Sequence, residues 1–262
     1  MKTRIDKLLV QRGLVPSRER AQSLILAGKV LINEQRVDKV GASVPDDATI
    51  RLLGQDLRYV SRGGLKLEKA LQHWTIDVRG RSCLDIGAST GGFTDCLLQH
   101  GAAQVIAVDT GWGQIDMKLR QDERVRLLEK TNARYLTHDD LMPLLQQPVS
   151  VVVMDVSFIS ATLVLPAVMH AAAADGLSAP LDAVILVKPQ FEVGRELVGK
   201  GGIVKDEEAQ RSAIERVRTA VQELGGENIQ VIDSPILGTE GNREFLLHAV
   251  FPATMRPETH PS

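Results

Sequence analysis

Four charged residues lie in stretches of the sequence that are otherwise apolar. They are Asp155 at the end of VVVMD, Lys188 directly after VILV, Glu244 in GNREFLLHAV, and Lys66 after SRGG, where a helix is predicted to begin. Because buried charges are costly unless they are paired, four of them together indicate a functional site. Each one taken alone is also consistent with a solvated strand end or a structural ion pair.

Two lysines and two carboxylates are suited to making a nucleophile of a weakly acidic hydroxyl group. An ordinary lysine has a pKa of about 10.4 and is protonated at neutral pH. Burial and a neighbouring cation lower that value, and enzymes bring lysine bases to a pKa of about 7–8. We predict that Lys188 is the base and Lys66 the neighbouring cation, while Asp155 and Glu244 orient both amines. Such a site works mainly by aligning its reactants and requires no metal ion.

A glycine-rich turn, LDIGASTGGFTD, runs from Leu84 to Asp95. It is not a dinucleotide fingerprint, because Ser89 stands at the middle glycine position, and it is not a P-loop, because Phe93 stands where a lysine is required. Asp85 beside the turn would repel a pyrophosphate but suits a cationic ligand. S-adenosylmethionine carries an ammonium and a sulfonium and has no phosphate, and it is therefore the predicted cofactor.

A second acid completes the predicted cofactor site. Asp109 ends the next apolar stretch at about 20 residues after the turn, the spacing at which an acid reaches ribose hydroxyls in related nucleotide folds. Glycines in the turn permit close approach of the backbone to the ligand. The side-chain amide of Asn132 is predicted to contact the adenine edge. The predicted cofactor-binding residues are Asp85, Gly87, Ser89, Gly91, Gly92, Phe93, Asp109 and Asn132.

The stretches SCLDI, QVIAVD, VSVVVMD and DAVILVKP alternate with segments of helical length. This alternation predicts an α/β fold with a doubly wound, mostly parallel, Rossmann-like sheet. Ligands bind such sheets at the carboxyl ends of the strands, where all the candidate residues lie. The uncharged stretch from Val156 to Ala174 approaches the length of a membrane span, but its polar residues and the preceding Asp155 favour a buried helix on the sheet.

A smaller α+β unit is predicted before the sheet. Apolar residues recur at helical spacing from Ile5 to Leu9, Ser17 is a suitable N-cap for a second helix, and Gly28 fits the left-handed position after its end. KVLIN and RVDK, separated by Glu34-Gln35, predict a hairpin, and ATIRLL predicts a further strand. The unit ends near Leu53, and the polar segment 54–64 is the predicted linker.

Charge separates this first unit from the rest of the chain. Residues 1–36 contain eight Lys/Arg and three Asp/Glu, a charge of +5, and the total of −2 leaves −7 for the remainder. A basic module on a mildly acidic body predicts a polyanionic partner, although an ordinary solvated surface gives the same count. Cys83 and Cys96 lack metal-ligand spacing and are predicted to be reduced core residues of a cytoplasmic protein. MKTRIDKLLV lacks the apolar region of a signal peptide.

The first unit, RIDKLLVQRGLVPSRERAQSLILAGKVLINEQRVDK, resembles the alpha-L RNA-binding module. The resemblance implies that four cations face RNA phosphates, where lysine and arginine displace counterions and arginine forms paired hydrogen bonds. Some of these side chains alternatively only solvate a helix. The four are Lys7, Arg18, Arg20 and Lys29.

SRGGLKL, LDIGASTGGFT, MDVSFIS, VKPQFE and GNREFL resemble the TlyA family, whose catalytic domain is similar to FtsJ-type ribose methyltransferases. The family's Lys-Asp-Lys-Glu tetrad falls on Lys66, Asp155, Lys188 and Glu244. The resemblance implies methylation of the 2′-hydroxyl of a cytidine in ribosomal RNA at the subunit interface, with ribosomal RNA or subunits as partners. It also implies an RNA-binding domain with linker over 1–60 and a catalytic domain over 61–252. The pattern of the last residues, 253–262, predicts no packing, and they are expected to form a disordered tail.

Several interpretations stay open. The glycine-rich segment 193–206 is predicted to be a lid or an RNA contact, although a plain surface loop has the same composition. The protein could be a catalytically silent RNA-binding assembly factor, or a membrane-active haemolysin, a label that the family has carried. An enzyme acting on a base or a protein is a third alternative, but DVSF lacks the two prolines of the usual base-amine motif. A monomer is slightly favoured.

Overall fold

The computed structural model describes residues 2–15, 17–33, 35–52, 58–174, 176–238 and 241–253. The chain divides into two compact units, Met1–Arg58 and Tyr59–Ser262. Our assignment of the functional domains to 1–60 and 61–252 places the boundary close to this division and stays a prediction. Apart from Ala253, the predicted disordered tail lies outside the described residues.

In its described residues, the first unit has two helices and five short strands. The first strand pairs with the fourth, and the second lies between the third and the fifth, all antiparallel. Apolar side chains of both helices and of the central strand form its core. The elements are β1 (Lys2–Arg4), α1 (Ile5–Gln11), α2 (Arg18–Leu26), β2 (Val30–Ile32), β3 (Gln35–Val37), β4 (Ser43–Pro45) and β5 (Ile50–Leu52).

Local signals in this unit are confirmed, with one correction. The Ser17 hydroxyl accepts a hydrogen bond from the backbone N–H of Arg20 at 3.2 Å and caps α2, and Gly28 has a φ of 64° after the helix end. The predicted turn pair Glu34-Gln35 is wrong for its second member, because Gln35 already pairs with Ile32 in the hairpin. The other predicted turn residue, at position 34, lies outside the described residues.

The second unit is a sheet covered by helices on both faces. Its strands follow the order β11-β12-β10-β9-β6-β7-β8 in the part of the chain that is described. The strands are β6 (Ser82–Ile86), β7 (Gln104–Val108), β8 (Val125–Leu128), β9 (Val149–Met154), β10 (Leu181–Val187), β11 (Glu227–Asp233) and β12 (Phe245–Phe251). The helices are α3 (Gly63–His73), α4 (Gly92–Gln99), α5 (Met117–Arg120), α6 (His138–Leu141), α7 (Ala161–Ala173), α8 (Pro189–Glu192) and α9 (Glu207–Glu223).

The predicted doubly wound sheet is confirmed, with an addition at one edge. Strands β8, β7, β6, β9 and β10 are parallel, whereas β12 runs antiparallel to both β10 and β11. Helices α3, α4 and α5 pack on one face and α6, α7 and α9 on the other, each with its own apolar cluster. The sheet is therefore buried on both sides, which explains why its strands are nearly continuous runs of valine, isoleucine and leucine.

The long uncharged segment after Asp155 is only partly helical. Helix α7 begins at Ala161 rather than at Val156, because Ser160 caps it by accepting a hydrogen bond from the Thr162 N–H at 3.2 Å. Its apolar face is buried against the sheet. Among the described residues, no helix is both long enough and apolar enough to cross a membrane.

Both cysteines are buried and neither forms a disulfide bond, as the sequence predicts. Burial raises the pKa of the Cys83 thiol to about 12, so this thiol stays protonated and acts as a small apolar residue.

Candidate active site

The four charged candidates form two buried ion pairs. Lys188 Nζ lies 2.6 Å from Asp155 Oδ1 and donates a hydrogen bond to Ser157 Oγ at 2.7 Å. Lys66 Nζ donates a hydrogen bond to Glu244 Oε2 at 2.6 Å. Both lysines and Glu244 are buried. Charges held at this depth require partners, and each amine has a carboxylate.

The register of the sheet places the two pairs next to each other. Val187 lies opposite Phe245 in the antiparallel β10–β12 pair. Lys188 directly follows Val187, and Glu244 directly precedes Phe245, so these two residues are neighbours at the same end of adjacent strands. The structure therefore joins the four predicted residues at one edge as two adjacent pairs, and the roles of base and neighbouring cation stay predictions.

Ser157 belongs to this site but was missed by the sequence analysis. It lies two residues after Asp155, within the MDVSFIS motif, and its hydroxyl accepts the hydrogen bond from Lys188. The other four residues are charges in apolar surroundings, and an uncharged serine in a loop gives no such signal.

A cavity of about 290 Å³ opens beside the ion pairs, at the carboxyl ends of β6, β7 and β9. Its volume is close to the lower end of the range for small-ligand pockets, about 300–1,000 Å³. Five of the predicted residues line it, together with uncharged neighbours that were not predicted. The predicted ones are Gly87, Ser89, Asp109, Asn132 and Asp155; the others include Thr110, Gln114, Thr131, Val156, Ser157 and Phe158.

The glycine turn at the cavity is held by its own polar contacts. Asp109 accepts hydrogen bonds from the backbone N–H of Ser89 at 2.8 Å and of Gly111 at 2.6 Å. Gly87 has a φ of 83°, and a Cβ there would lie 2.6 Å from the carbonyl oxygen of Asp155. Asn132 is exposed and accepts a hydrogen bond from the Arg134 N–H at 3.1 Å. Asp109 therefore fixes the conformation of the backbone around the turn. Its contact with a ribose stays a prediction.

Four predicted cofactor residues do not line the cavity, and three of them, Gly91, Gly92 and Phe93, have packing roles. Gly91 has a φ of 94°, and a Cβ there would lie 2.2 Å from Leu119 Cδ1. A Cβ at Gly92 would lie 3.0 Å from the backbone nitrogen of Gly64. Phe93 is buried in the apolar cluster under α3 and α4. In the structure, the small size of both glycines serves the close packing of α4 against its neighbours.

Asp85 is fully buried beneath the turn and does not line the cavity. Its Oδ2 accepts a hydrogen bond from the Thr94 hydroxyl at 2.6 Å, and its Oδ1 has no partner among the described residues. Burial, with a smaller contribution from the charge of Asp155, raises the pKa of Asp85 to about 7, against the opposing effect of Thr94. A carboxyl group with this pKa changes its charge near neutral pH.

Exposed aromatic side chains occur at the cavity and elsewhere in this unit, although only 3% of the residues are aromatic. Phe158 is 91% exposed, has a φ of 65°, and lies 5.5 Å from the ring of Phe191. Trp112 and Tyr135 are also exposed, and each lies beside a cation. A bulky residue with positive φ is strained, and such strain is concentrated at functional sites.

The glycine-rich segment 193–206 is fixed by a buried amide. Asn242 is 1% exposed; its side chain accepts a hydrogen bond from the Val204 N–H at 2.9 Å and donates one to the Gly202 carbonyl at 2.8 Å. The segment is therefore anchored to Asn242, which lies two residues before Glu244 in the sequence. Its role as a lid or an RNA contact stays a prediction.

In the first unit, a buried carboxylate organises two of the surface arginines. Asp6 is fully buried and accepts hydrogen bonds from Arg4 at 3.0 and 3.1 Å and from Arg18 at 2.8 Å. Burial alone would raise the pKa of Asp6, but these hydrogen bonds hold it well below its usual range. Lys7 and Lys29 are exposed. Arg18 therefore shares the Asp6 carboxylate with Arg4. Arg4 was not among the residues predicted from the sequence.

Known proteins resemble the chain in both units. Residues 59–251 match the FtsJ-like methyltransferase family, and residues 3–50 match the S4 domain. The chain is 45% identical over 247 residues to a Mycobacterium tuberculosis protein, 16S/23S rRNA (cytidine-2'-O)-methyltransferase TlyA, with 94% of this chain and 89% of the relative covered. It is 40% identical over 250 residues to Hemolysin A of Brachyspira hyodysenteriae, with 94% and 99% covered.

A solved structure agrees with this relationship. A Streptococcus thermophilus protein that carries a hemolysin label has a TM-score of 0.71 and 43% identity, covering 96% of this chain and 89% of that chain. The second unit is thus an FtsJ-like methyltransferase, and an S4 domain precedes it. Because the identity to TlyA extends through both units, the chain belongs to the TlyA family. The family resemblance and the fold class predicted from the sequence are confirmed.

Proposed function

We propose that this protein transfers a methyl group from S-adenosylmethionine to the ribose 2′-hydroxyl of a cytidine in ribosomal RNA, at the interface between the subunits. The observation that carries the proposal is the pair of lysine–carboxylate contacts beside the cavity at the carboxyl edge of the sheet. The name of the M. tuberculosis relative states this reaction for 16S and 23S RNA.

The cavity and the buried acid beneath it support the choice of methyl donor. Gly87, Ser89, Asp109 and Asn132 are the proposed contacts, and the unpartnered oxygen of Asp85 adds negative charge below the turn. When bound, S-adenosylmethionine supplies a methyl group on a positively charged sulfur. These residues would bind and orient it, because a cation is favoured by a carboxylate in low-dielectric surroundings.

Lys188 is the proposed proton acceptor. When the ribose oxygen takes up the methyl group that S-adenosylmethionine supplies, Nζ of Lys188 would accept the proton that the hydroxyl loses. Ser157 holds that amine in either protonation state, because a hydroxyl can donate or accept a hydrogen bond. Asp155 stabilises the ammonium that results. The Lys66–Glu244 pair fixes the adjacent strand end and positions the acceptor ribose.

Asp85 should couple cofactor binding to pH. With a pKa of about 7 in the free protein, it is protonated below that pH, and a cationic ligand favours the ionised form. The affinity for S-adenosylmethionine should therefore rise with pH, by up to about tenfold per unit below pH 7, with proton release on binding.

Titration calorimetry in two buffers of different ionisation enthalpy measures both effects. The substitution Asp85→Asn should remove them, and Asp139→Asn, on the exposed face of α6, should not. A pH dependence that survives in Asp85→Asn would exclude this role.

Exposed lysines of the S4 domain should contribute to RNA affinity through counterion release. Each phosphate contact contributes about 0.7–0.9 to the slope of log K against log salt. The double substitution Lys7→Ala/Lys29→Ala should therefore lower that slope by about 1.4–1.8. Filter binding of ribosomal RNA between about 50 and 200 mM salt measures it. Arg79→Ala, which changes an exposed cation just before β6, is the control. An unchanged slope in the double variant would remove both lysines from the interface.

Transfer of labelled methyl groups to purified, unmodified ribosomal subunits tests the proposed reaction. Label is expected in the ribose of a cytidine in the RNA of one or both subunits. A protein that binds S-adenosylmethionine but transfers nothing to either subunit would contradict the proposal and favour a silent assembly factor. Label in a base or in ribosomal protein would retain the enzyme and change the acceptor.

A further inference from the structure

Three contacts connect the chain segment after β9 with the segment after β10. The first is the contact of Lys188 with Asp155 and Ser157. The second is the contact between the rings of Phe158 and Phe191. The third lies farthest from the reacting groups and is made by Glu192, the last residue of α8. These contacts follow one another in order along both segments.

The third contact is a buried carboxylate held at both oxygens. Glu192 is 3% exposed. Its Oε2 accepts a hydrogen bond from the Ser160 hydroxyl at 2.5 Å, and its Oε1 accepts one from the Ala161 N–H at 2.7 Å. Its own backbone carbonyl accepts a hydrogen bond from Arg216 of α9 at 3.1 Å. Glu192 thus links three elements: the end of α8, the start of α7, and α9.

Capping of α7 alone does not require this carboxylate. Ser160 already caps the helix through the Thr162 N–H, and burying a carboxylate carries a desolvation cost. What Glu192 adds is a further connection between the two loops, beyond the catalytic contact and the contact of the two rings. Because Lys188 and Glu192 lie at opposite ends of the single turn of α8, fixing one end restricts the other.

We propose that Glu192 is a positioning residue, which holds the segment of Lys188 against the segment of Asp155 and Ser157 and so sets the direction of the Lys188 amine. The proposal rests on the proposed function for its catalytic consequence. Its structural consequence, the confinement of Lys188, can be measured without any methyl transfer.

The confinement of Lys188 is tested by amine labelling of the full-length protein. Glu192→Ala should increase the labelling rate of Lys188 by an amine-specific reagent several-fold, measured by mass spectrometry at one pH. Lys66, paired with Glu244 on other elements, should label at the wild-type rate in the same sample. The control substitution is Glu196→Ala, an exposed glutamate on the same stretch of chain. Glu192→Gln retains an acceptor for the Ala161 N–H and an amide for the Ser160 hydroxyl, so it should restore the wild-type rate.

The catalytic consequence is tested on the same variants. Because misplacement by about 1 Å can cost about 10²-fold in rate, Glu192→Ala should lower kcat by about 10- to 100-fold while KM for S-adenosylmethionine stays within about twofold. Glu192→Gln should recover most of kcat. Unchanged labelling of Lys188 together with unchanged kcat would overturn the proposal. Equal increases at Lys66 and Lys188 would also overturn it, because they indicate general loosening of the fold.

Two further outcomes are separated by the design. If Glu192→Ala does not fold, Ser160→Ala removes one of the two hydrogen bonds to the Glu192 carboxylate, together with the cap on the Thr162 N–H. It must give a smaller increase in Lys188 labelling, and wild-type labelling there would overturn the proposal. If the wild-type protein methylates no ribosomal substrate, the proposed function fails, while selective labelling of Lys188 in Glu192→Ala would still support the positioning role.

Discussion

Lys188→Ala is expected to lower the rate of methyl transfer by about 10²- to 10⁴-fold, the range over which a positioned general base contributes. The variant should bind S-adenosylmethionine as the wild type does, because Lys188 is not among the residues that line the cavity. Single-turnover transfer to unmodified subunits gives the rate, and calorimetry gives the affinity for the cofactor.

An exposed lysine supplies the matched control for this experiment. Lys69 lies on α3, three residues after Lys66, and is exposed, so Lys69→Ala should retain the full rate. Loss of cofactor binding in Lys188→Ala would contradict the assignment, because the lysine would then support the cavity rather than the proton transfer. A rate within a few-fold of wild type would assign the base to another group.

Glu244→Ala is expected to lower the free energy of unfolding by about 3–5 kcal/mol, since it leaves the buried ammonium of Lys66 without its carboxylate. For a unit of about 200 residues this corresponds to a decrease in Tm of roughly 6–20 °C. The double substitution Lys66→Met/Glu244→Leu should cost much less, because apolar groups of similar size often replace a buried pair at little cost. Urea unfolding of the wild type and the two variants at one pH measures both changes in the free energy of unfolding.

The comparison of single and double variants decides what the pair does. If Glu244→Ala is as mild as the double variant, the ammonium of Lys66 is hydrated in the native state, and the pair contributes little to stability. All variants of the Lys66–Glu244 pair should lose methyl transfer, because the pair fixes the end of the adjacent strand and positions the acceptor ribose. A stable double variant with full activity would remove Lys66 and Glu244 from the active site.

The sequence predicted the positions of the chemical groups well, because strands and strand ends are local features. The stretches VVVM and VILV are buried on both faces, so the first charge after each had to lie at the edge of the sheet. Asp155 and Lys188 could therefore be assigned to one edge from alternation and topology alone. Gly87 could be assigned to the same edge, since it follows SCLDI directly.

Pairings between distant segments were beyond the sequence. Nothing in the local pattern indicates that Glu192 meets Ser160, or that Asn242 binds the backbone near Gly202, because each depends on how loops from different strands meet. Lys66 and Glu244 were assigned to one site, but their direct pairing needed the insertion of β12 beside β10 and the packing of α3 against β12. The sequence offered no signal for that insertion.

Glycine and phenylalanine positions were also ambiguous. Gly91 and Gly92 have the residue type that a cofactor turn needs, but close helix packing requires the same residue type, and in the structure they serve packing. Phe158 was the opposite case. An apolar residue in FIS suggests burial, whereas the backbone at positive φ leaves the ring almost fully exposed.

Strand β12 lies between β10 and β11, although it is the last strand in the described part of the chain. Glu244 lies in the loop just before β12. It pairs with Lys66, which precedes it by 178 residues in the sequence. Since proteins emerge from their amino terminus during synthesis, the cofactor turn and Lys188 are translated before their sheet can close. A growing chain therefore has an unpaired Lys66 and an incomplete sheet until residues 245–251 have left the exit tunnel.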